Sequence, residues 1–382
     1  MNRNLTLLVA IVLFATYLAA GQDQIKRRSG DLNDLVAKAS KALVRRDSDG
    51  FRVPTDGQLK AWHFITKSIF DGRPDEARKM IEQLSFPYEI TLFHDDVAKR
   101  EYIVLEEKVP LQAGWGFYVF DTTATNDLAI EVPHTVFDSN TEFQGVDAFR
   151  QTQARAFLMA GAHRRANKQI SPCTQPRSAA EDSQYPVSDV AHSAATPFHA
   201  VHEALVTVKP NTVAVQLHGM TERDICPNAF VSTGTKSVTT NSKRLMSCLE
   251  KSGVESGLYD GNTSCPLIAT SNAQGRFSNG ERKDPCGTSA KNSPEPGLFI
   301  HIEQEPKIRR DKASWQPVID ALKCAFPANG TASAKPASGS FAYKSEGNPD
   351  VEVFFHGPAK VDNKTRLLIV MAGRQRNAEE YL

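Results

Sequence analysis

Two histidines and one glutamate occur where apolar, strand-like runs come to an end. His134 follows the run LAIEV, His218 closes the run VAVQLHG, and Glu303 lies near the end of LFIHIEQ. If these runs are parallel strands of one sheet, their carboxyl ends meet at the edge where open α/β sheets bind ligands. Two imidazoles and a carboxylate are then expected in one crevice.

Two imidazoles and one carboxylate, with a fourth position left open, form the ligand set of a catalytic zinc ion. A carboxylate ligand is expected in the segment that follows His134, which contains both Asp138 and Glu142. Zinc polarises a scissile carbonyl and lowers the pKa of a water molecule toward ~7, and a further carboxylate can then accept the proton. We therefore predict a Zn²⁺ cofactor held by His134, His218 and an acidic side chain.

The segments PHTVFD, VQLHGM and IEQEPKIRRDKASWQPVIDAL resemble the zinc carboxypeptidase and N-formylglutamate amidohydrolase superfamily. The resemblance covers roughly residues 100 to 326. It implies that His134 and His218 are metal ligands and that Glu303 is the general base. It also implies that the substrate is a small peptide or an acyl-amino-acid.

The acidic metal ligand is the point at which the sequence departs from the family. The carboxypeptidase pattern is His-x-x-Glu, whereas position 137 of this chain is Phe. Asp138 is one residue further along and Glu142 four residues beyond that. We take Asp138 as the ligand and keep Glu142 as the alternative.

The segment AGAHRRAN resembles the part of these enzymes that holds a substrate carboxylate. The resemblance implies that Arg164, Arg165 and Asn167 bind the substrate. Arg276 in SNAQGRFSNG is a further candidate for the same task. Arginine suits this role because its planar fork can bind a carboxylate through two hydrogen bonds.

Four further residues are candidates for supporting or alternative roles: His192, His199, His202 and Glu305. His199 and His202 are three residues apart on a predicted helix, a spacing that can bind a metal, but we favour a role in lining the site. His192 and Asp189 are expected to orient a metal ligand. Glu305 can replace Glu303 as the base, since alternate residues of an extended strand share a face.

The order of predicted elements indicates the fold class. Helix-type spacing of apolar residues is found first, and short β-type runs alternate with helices from Tyr88 onward. This alternation predicts an α/β fold, a three-layer sandwich with a mixed, largely buried central sheet, plus an N-terminal helical segment. The predicted divisions are a signal peptide at 1–21, helices at 22–85, a hydrolase-like domain at 86–327 with a Cys-rich insertion at 222–296, a linker at 328–340 and a small β-type appendage at 341–382.

The amino-terminal sequence and the cysteines indicate export. An arginine, an apolar run and small residues occur in order over residues 1–21, as in a signal peptide. The six cysteines lie between residues 173 and 324, and their even number in an exported chain makes disulfides expected. A zinc–thiolate site is a weaker alternative because no Cys-x-x-Cys pair occurs. We expect a secreted or periplasmic protein with no stable membrane span after signal cleavage.

Other function classes find less support in the sequence. The net charge of +1 over 382 residues gives no general attraction for nucleic acid. No Gly-x-Ser-x-Gly elbow, phosphate loop or dinucleotide fingerprint occurs. The preferred interpretation is an exported zinc hydrolase that cleaves an amide bond next to a carboxylate. The alternatives are a non-catalytic binding protein with a degenerate peptidase fold and a metal-dependent esterase.

Overall fold

A ten-stranded mixed β-sheet forms the centre of the fold. The computed structural model describes residues 25–173 and 185–328, together with two strands near the carboxyl terminus. The predicted signal peptide therefore lies outside the described residues. The strands of the sheet are β1 Lys26–Gly30, β2 Tyr88–Asp95, β3 Arg100–Glu107, β4 Phe117–Phe120, β5 Leu128–Val132, β6 Ala156–Met159, β7 Val213–Gly219, β8 Ala229–Ser232, β9 Ser256–Leu258 and β10 Phe299–Gln304.

The strands are arranged in the order β1-β2-β3-β4-β6-β5-β7-β10-β8-β9. Strands β6, β5, β7 and β10 run parallel to one another in the middle of the sheet. The first half of the chain adds antiparallel strands on one side, and β8 pairs antiparallel with β10 on the other. Because β5, β7 and β10 are parallel neighbours, their carboxyl ends open at the same edge.

Helices cover both faces of the sheet. They are α1 Leu32–Ala42, α2 Asp56–Phe70, α3 Pro74–Gln83, α4 Thr141–Thr152, α5 Pro197–Val208, α6 Thr240–Lys251, α7 Ala273–Ser278 and α8 Lys312–Ala325. Apolar side chains of α1, α4, α6 and α8 pack in one core, and those of α2, α3 and α5 pack in the other. The predicted three-layer α/β fold with a mixed central sheet is therefore confirmed.

The amino-terminal segment contains the predicted helices and, in addition, one strand. Its first element, β1, is a strand that pairs in parallel with β2 at the edge of the sheet. The run KRRSG has no apolar alternation, so nothing in its pattern indicated a strand. Helix α2 begins at a capping box formed by Thr55 and Gln58, and Trp62 is fully buried on its inner face. These helices are packing elements of the main fold.

The Cys-rich segment 222–296 contributes directly to the sheet. It contains β8, α6, β9 and α7 and thus supplies two strands of the sheet, so it is more than an insertion. The runs AFVS and SGL are too short and too polar at their borders to be recognised as strands from their pattern.

All six cysteines form disulfides, in agreement with the expectation from the sequence. The pairs are Cys173–Cys286, Cys226–Cys265 and Cys248–Cys324. The last of these joins α6 to α8 on one face of the sheet. Among the described residues, no helix is long and apolar enough to cross a bilayer.

Residues from Pro327 onward form a separate unit. Its described part is an antiparallel pair, β11 Ala337–Tyr343 and β12 Val351–Gly357. Strand β11 begins inside the segment predicted to be a linker. The rest of the predicted β-type appendage, including the apolar run at residues 366–371, lies outside the described residues.

Candidate metal centre

Alternation along three neighbouring strands brings polar side chains to one face of the sheet. In β7, Val215 and Leu217 enter one core while Gln216 and His218 point to the opposite face. The parallel register places Glu303 of β10 opposite His218. Strand β7 lies between β10 and β5, and His134 lies two residues beyond the end of β5. The sheet itself thus brings both imidazoles and the glutamate to one edge.

His134, His218 and Asp138 place three ligand-type atoms around one point. The Nδ1 atoms of the two imidazoles are 3.2 Å apart. The Asp138 Oδ2 atom is 3.2 Å from Nδ1 of His134 and 3.5 Å from Nδ1 of His218. All three side chains are buried, with 2–3% of each residue exposed. The turn that presents Asp138 is closed by a hydrogen bond from its backbone N–H to the His134 carbonyl.

The remaining ring nitrogens of both imidazoles face hydrogen-bond acceptors. Nε2 of His134 is 3.0 Å from a carboxylate oxygen of Asp189, and Nε2 of His218 is 3.2 Å from the side-chain oxygen of Gln216. An ionised carboxylate and an amide oxygen only accept, so these two contacts favour a proton on each Nε2. In the neutral rings, both Nδ1 lone pairs then point toward the Asp138 carboxylate.

Three electron-rich atoms at this separation are unfavourable unless a cation lies between them. The spacing also fits a metal ion. Tetrahedral zinc with bonds of ~2.0–2.1 Å separates its ligand atoms by about 3.3 Å, and the three observed distances are 3.2, 3.2 and 3.5 Å. His134, Asp138 and His218 therefore form a group that can hold a metal ion.

Two overlapping groups also bring three ligand-type residues together, and each shares one imidazole with the first group. In the group of His134, Asp189 and His192, the Asp189 carboxylate is already ion-paired with the Arg164 guanidinium. In the group of His218, His301 and Glu303, an oxygen of the glutamate lies 3.4 Å from Nε2 of His301.

The electrostatics of the pocket favour neutral His218 and ionised carboxylates. Burial and the nearby His301 lower the pKa of His218 to about 4, so this ring is a free ligand at neutral pH. Burial raises the pKa of Asp138, but the two imidazoles lower it by a larger amount. The net pKa is well below its ordinary value. For His134, burial and Arg164 lower the pKa, whereas Asp189 and Asp138 raise it and prevail. The Asp189 and Asp138 carboxylates thus outweigh burial and Arg164 in stabilising a positive charge on the His134 ring.

Glu303 lies beside His218 and is outside the group formed by His134, Asp138 and His218. Burial raises the pKa of its carboxyl group, but His301 and His218 lower it more, so the group is ionised at neutral pH. Glu305 lies beyond the last residue of β10, and its backbone N–H bonds to the Asn228 carbonyl. Its carboxylate is 3.1 Å from the Lys307 ammonium. The two glutamates therefore have different surroundings, because the strand ends before position 305.

Of the predicted substrate-binding residues, Arg164 lies nearest the metal group. Its guanidinium is paired with Asp189, lies 3.4 Å from Nδ1 of His134 and covers the ring of Phe137 at 5.1 Å from the centroid. Phe137 is 42% exposed and presents its ring beside the pocket. Arg165 is exposed on the surface of the same segment.

Two other predicted substrate-binding residues are engaged in the architecture of the fold. The Asn167 side chain donates to the Phe51 carbonyl at 2.9 Å. Arg276 is 2% exposed, and its guanidinium donates to the carbonyls of Thr270 and Cys286. These contacts hold the Cys-rich segment and leave the guanidinium turned toward that segment.

The predicted supporting residues lie in three different places. His192 is bonded to Asp189 at 3.1 Å and stacks on Tyr185. Glu142 bonds to the Ser40 hydroxyl of α1 at 3.0 Å, so its carboxylate faces that helix. His199 and His202 lie on α5 beneath the site, where burial and the neighbouring His202 lower the pKa of His199 to about 3.

The sequence analysis missed a buried polar cluster next to His218. Its members are Glu131, Gln216, Asn272 and Gln274. Glu131 and Gln216 each interrupt an apolar strand, and each is 0% exposed. A polar residue inside such a run requires a buried partner, so the interruption itself was the available signal.

Comparisons with known proteins give only distant likenesses. No protein family matches the sequence, and no curated protein matches it. A bacteriophage poly-gamma-glutamate hydrolase of known structure is 13% identical, with a TM-score of 0.31, and the match covers 53% of this chain and 84% of that chain. A candidate metallopeptidase from Shewanella amazonensis is 10% identical, with a TM-score of 0.27 and coverage of 69% and 92%. Similarities with identities and TM-scores this low support no conclusion about function, so the function is inferred from the geometry alone.

Proposed function

We propose that the protein is an exported zinc-dependent hydrolase that cleaves an amide bond next to a carboxylate, in a small peptide or an acyl-amino-acid. The observation that carries this proposal is the convergence of the His134 and His218 Nδ1 atoms on the Asp138 carboxylate, with separations of 3.2 and 3.5 Å. Neutral imidazoles and a carboxylate that leave a position open are characteristic of catalytic zinc. The three disulfides are compatible with an oxidising compartment.

His134, Asp138 and His218 would hold the zinc ion in this proposal. When bound, zinc polarises a carbonyl group and makes a water molecule a stronger acid. Glu303 lies at the same strand edge, opposite His218 in the register of β7 and β10. Because its carboxyl group is ionised at neutral pH, it can accept a proton from water and pass it to the leaving amine. His301, with Nε2 at 3.4 Å from the carboxylate, orients this base.

Arg164 is the proposed anchor for the carboxylate of the substrate. Its side chain is 21% exposed, so part of it is accessible to solvent. Asp189 and the ring of Phe137 fix the position of the group. A substrate carboxylate at this point would pair with a pre-positioned arginine, and the amide bond would be held near Glu303.

Substitution of the two glutamates tests the proposed role of Glu303. Glu303→Gln keeps the size of the side chain but removes the proton acceptor. Hydrolysis of a panel of N-acyl-amino acids and dipeptides should therefore fall by ~10²–10⁴-fold while the zinc content stays unchanged. Glu305→Gln is the matched control and should retain turnover, since Glu305 pairs with Lys307.

Two results would contradict this assignment. Loss of zinc from Glu303→Gln would make Glu303 a ligand, and unchanged turnover of a substrate cleaved by the native protein would remove it from the mechanism. If the zinc-loaded native protein cleaves none of the panel, the proposed reaction fails while the metal site stands.

A further inference from the structure

A fully buried amide lies directly behind the ligand His218. Gln216 of β7 is 0% exposed, and its side-chain oxygen is 3.2 Å from Nε2 of His218. The same oxygen accepts a hydrogen bond from the Asn272 side chain at 2.7 Å. The Gln216 nitrogen donates to a carboxylate oxygen of Glu131 at 2.9 Å and to the side-chain oxygen of Gln274 at 3.2 Å. Both lone pairs and both protons of this amide are therefore used.

The partners of Gln216 determine which end of the amide faces His218. Glu131 is 0% exposed, and its carboxylate oxygen accepts from the nitrogen of Gln216 at 2.9 Å, which places that nitrogen on the Glu131 side. Its second oxygen is 2.6 Å from Nδ1 of His202, whose other nitrogen is 3.0 Å from the Ser278 hydroxyl. The carboxylate is thus held on both oxygens and cannot turn away from Gln216.

The two neighbouring amides are themselves fixed by the backbone. The Asn272 oxygen caps α7 by accepting from the Gly275 N–H at 2.8 Å, so its nitrogen must point to Gln216. The Gln274 nitrogen donates to the Val190 carbonyl at 2.9 Å, so its oxygen must face Gln216. Three independent contacts, from a carboxylate, a helix cap and a backbone carbonyl, therefore specify the same orientation.

We propose that Gln216, oriented by Glu131, Asn272 and Gln274, is a positioning residue that holds His218 in the Nε2–H tautomer and so keeps its Nδ1 lone pair available as a ligand. If the amide were reversed, it would present N–H groups to the ring and move the proton to Nδ1, where it would block the metal. This inference rests on the proposed metal site but concerns an earlier state, the metal-free protein.

Nitrogen-15 NMR of histidine-labelled, metal-free protein measures the tautomer directly. The His218 signals are identified by their disappearance in His218→Ala. We expect the native protein to show a protonated Nε2 and an unprotonated Nδ1 on this ring. A protonated Nδ1 on neutral His218 would overturn the inference, whether or not the protein binds metal.

Metal titration then tests the contribution of Gln216. Gln216→Met keeps the length of the side chain but removes the amide, and it should lower the affinity for Co²⁺ and Zn²⁺ by ~10–100-fold, with a changed visible spectrum of bound Co²⁺. The control is Gln144→Met, which removes an equally buried amide that pairs with Gln304 and leaves the ligand rings untouched. Its affinity and Co²⁺ spectrum should match those of the native protein.

A charge-conserving exchange separates positioning from a general effect on folding. Glu131→Gln combined with Gln216→Glu leaves an oxygen acceptor facing His218 and keeps the same number of charges. This double variant should retain the Nε2–H tautomer, because an acceptor still faces Nε2, and should bind metal more tightly than Gln216→Met. Native-like affinity and tautomer in Gln216→Met, or a protonated Nδ1 on neutral His218 in the folded double variant, would contradict the proposal.

If the native protein binds neither Zn²⁺ nor Co²⁺, the proposed function fails. The tautomer of His218 still decides the role of Gln216 in that case. The two claims therefore have separate outcomes.

Discussion

The Nδ1 atoms of His134 and His218 lie 3.2 Å apart, and each ring directs its Nε2 atom to a fixed acceptor. The acceptor is Asp189 behind His134 and Gln216 behind His218. Two neutral rings held in this way face each other with lone pairs, beside the carboxylate of Asp138. A cation between them relieves the repulsion, which is why we regard this point as the functional centre.

The first prediction concerns the carboxylate behind His134. Asp189 contacts His134, His192 and Arg164 at once and is 0% exposed. Asp189→Asn keeps the shape but can offer N–H groups to His134, so the ring loses its fixed tautomer. Zinc affinity, measured by competition with a chelator, should fall by ~10–100-fold.

The control for this variant is Asp147→Asn. Asp147 is also buried, but its carboxylate accepts from the Trp315 indole N–H at 3.0 Å, away from the metal group. It should keep native zinc affinity. Equal affinity in Asp189→Asn and the native protein would show that Asp189 does not orient a ligand.

The second prediction is a competition between protons and metal. The pKa of His134 is raised above its ordinary value, because Asp189 and Asp138 outweigh burial and Arg164. Below this pKa the ring is protonated and a metal ion must displace the proton, so affinity should fall about tenfold per pH unit. Above it, His134 is neutral and affinity should level off. His218 has a pKa of about 4, so it becomes protonated, and competes with the metal in turn, only in more acidic solution.

Calorimetry in buffers of different ionisation enthalpy counts the protons released by zinc. We expect close to one proton per zinc below the pKa of His134 and none above it. Zinc affinity that stays constant between pH 8 and pH 5.5 would argue against His134 as a ligand.

The third prediction concerns the disulfides. Cys248 and Cys324 join α6 to α8 and are 76 residues apart in sequence. Removing this link by Cys248→Ala and Cys324→Ala should lower the free energy of unfolding by about 2–4 kcal/mol. Urea unfolding of the double variant and the native protein measures the difference. Six free thiols in the protein of unaltered sequence, measured under denaturing conditions, would contradict all three pairs.

The sequence predicted the fold class because β5, β7 and β10 are clear apolar runs in a chain where strand-type runs alternate with helices. Strand β1 and the short strands β8 and β9 carry no such pattern, since their stability comes from neighbours that are distant in sequence. The spacing of residues in the sequence also could not predict that Asn272 and Gln274 of the Cys-rich segment would contact Gln216.

The candidate site could be predicted only in part, for a similar reason. His134, His218 and Glu303 end three strands, so the parallel arrangement of a sheet was enough to place them together. The role of Gln216 depends on Asn272 and Gln274, which belong to a different segment and reach it only in the folded chain. Arg276 looked suited to bind a substrate carboxylate, yet its donors are taken by carbonyls of its own segment.

The central claim is tested most directly by locating the metal. Crystals of the protein prepared with zinc, measured above and below the zinc absorption edge, give an anomalous difference map that marks each zinc ion. We predict one strong peak about 2.0–2.2 Å from Nδ1 of His134, Nδ1 of His218 and a carboxylate oxygen of Asp138. The peak should be absent in His218→Ala. Fully occupied zinc bound elsewhere, with this triangle empty, would contradict the account.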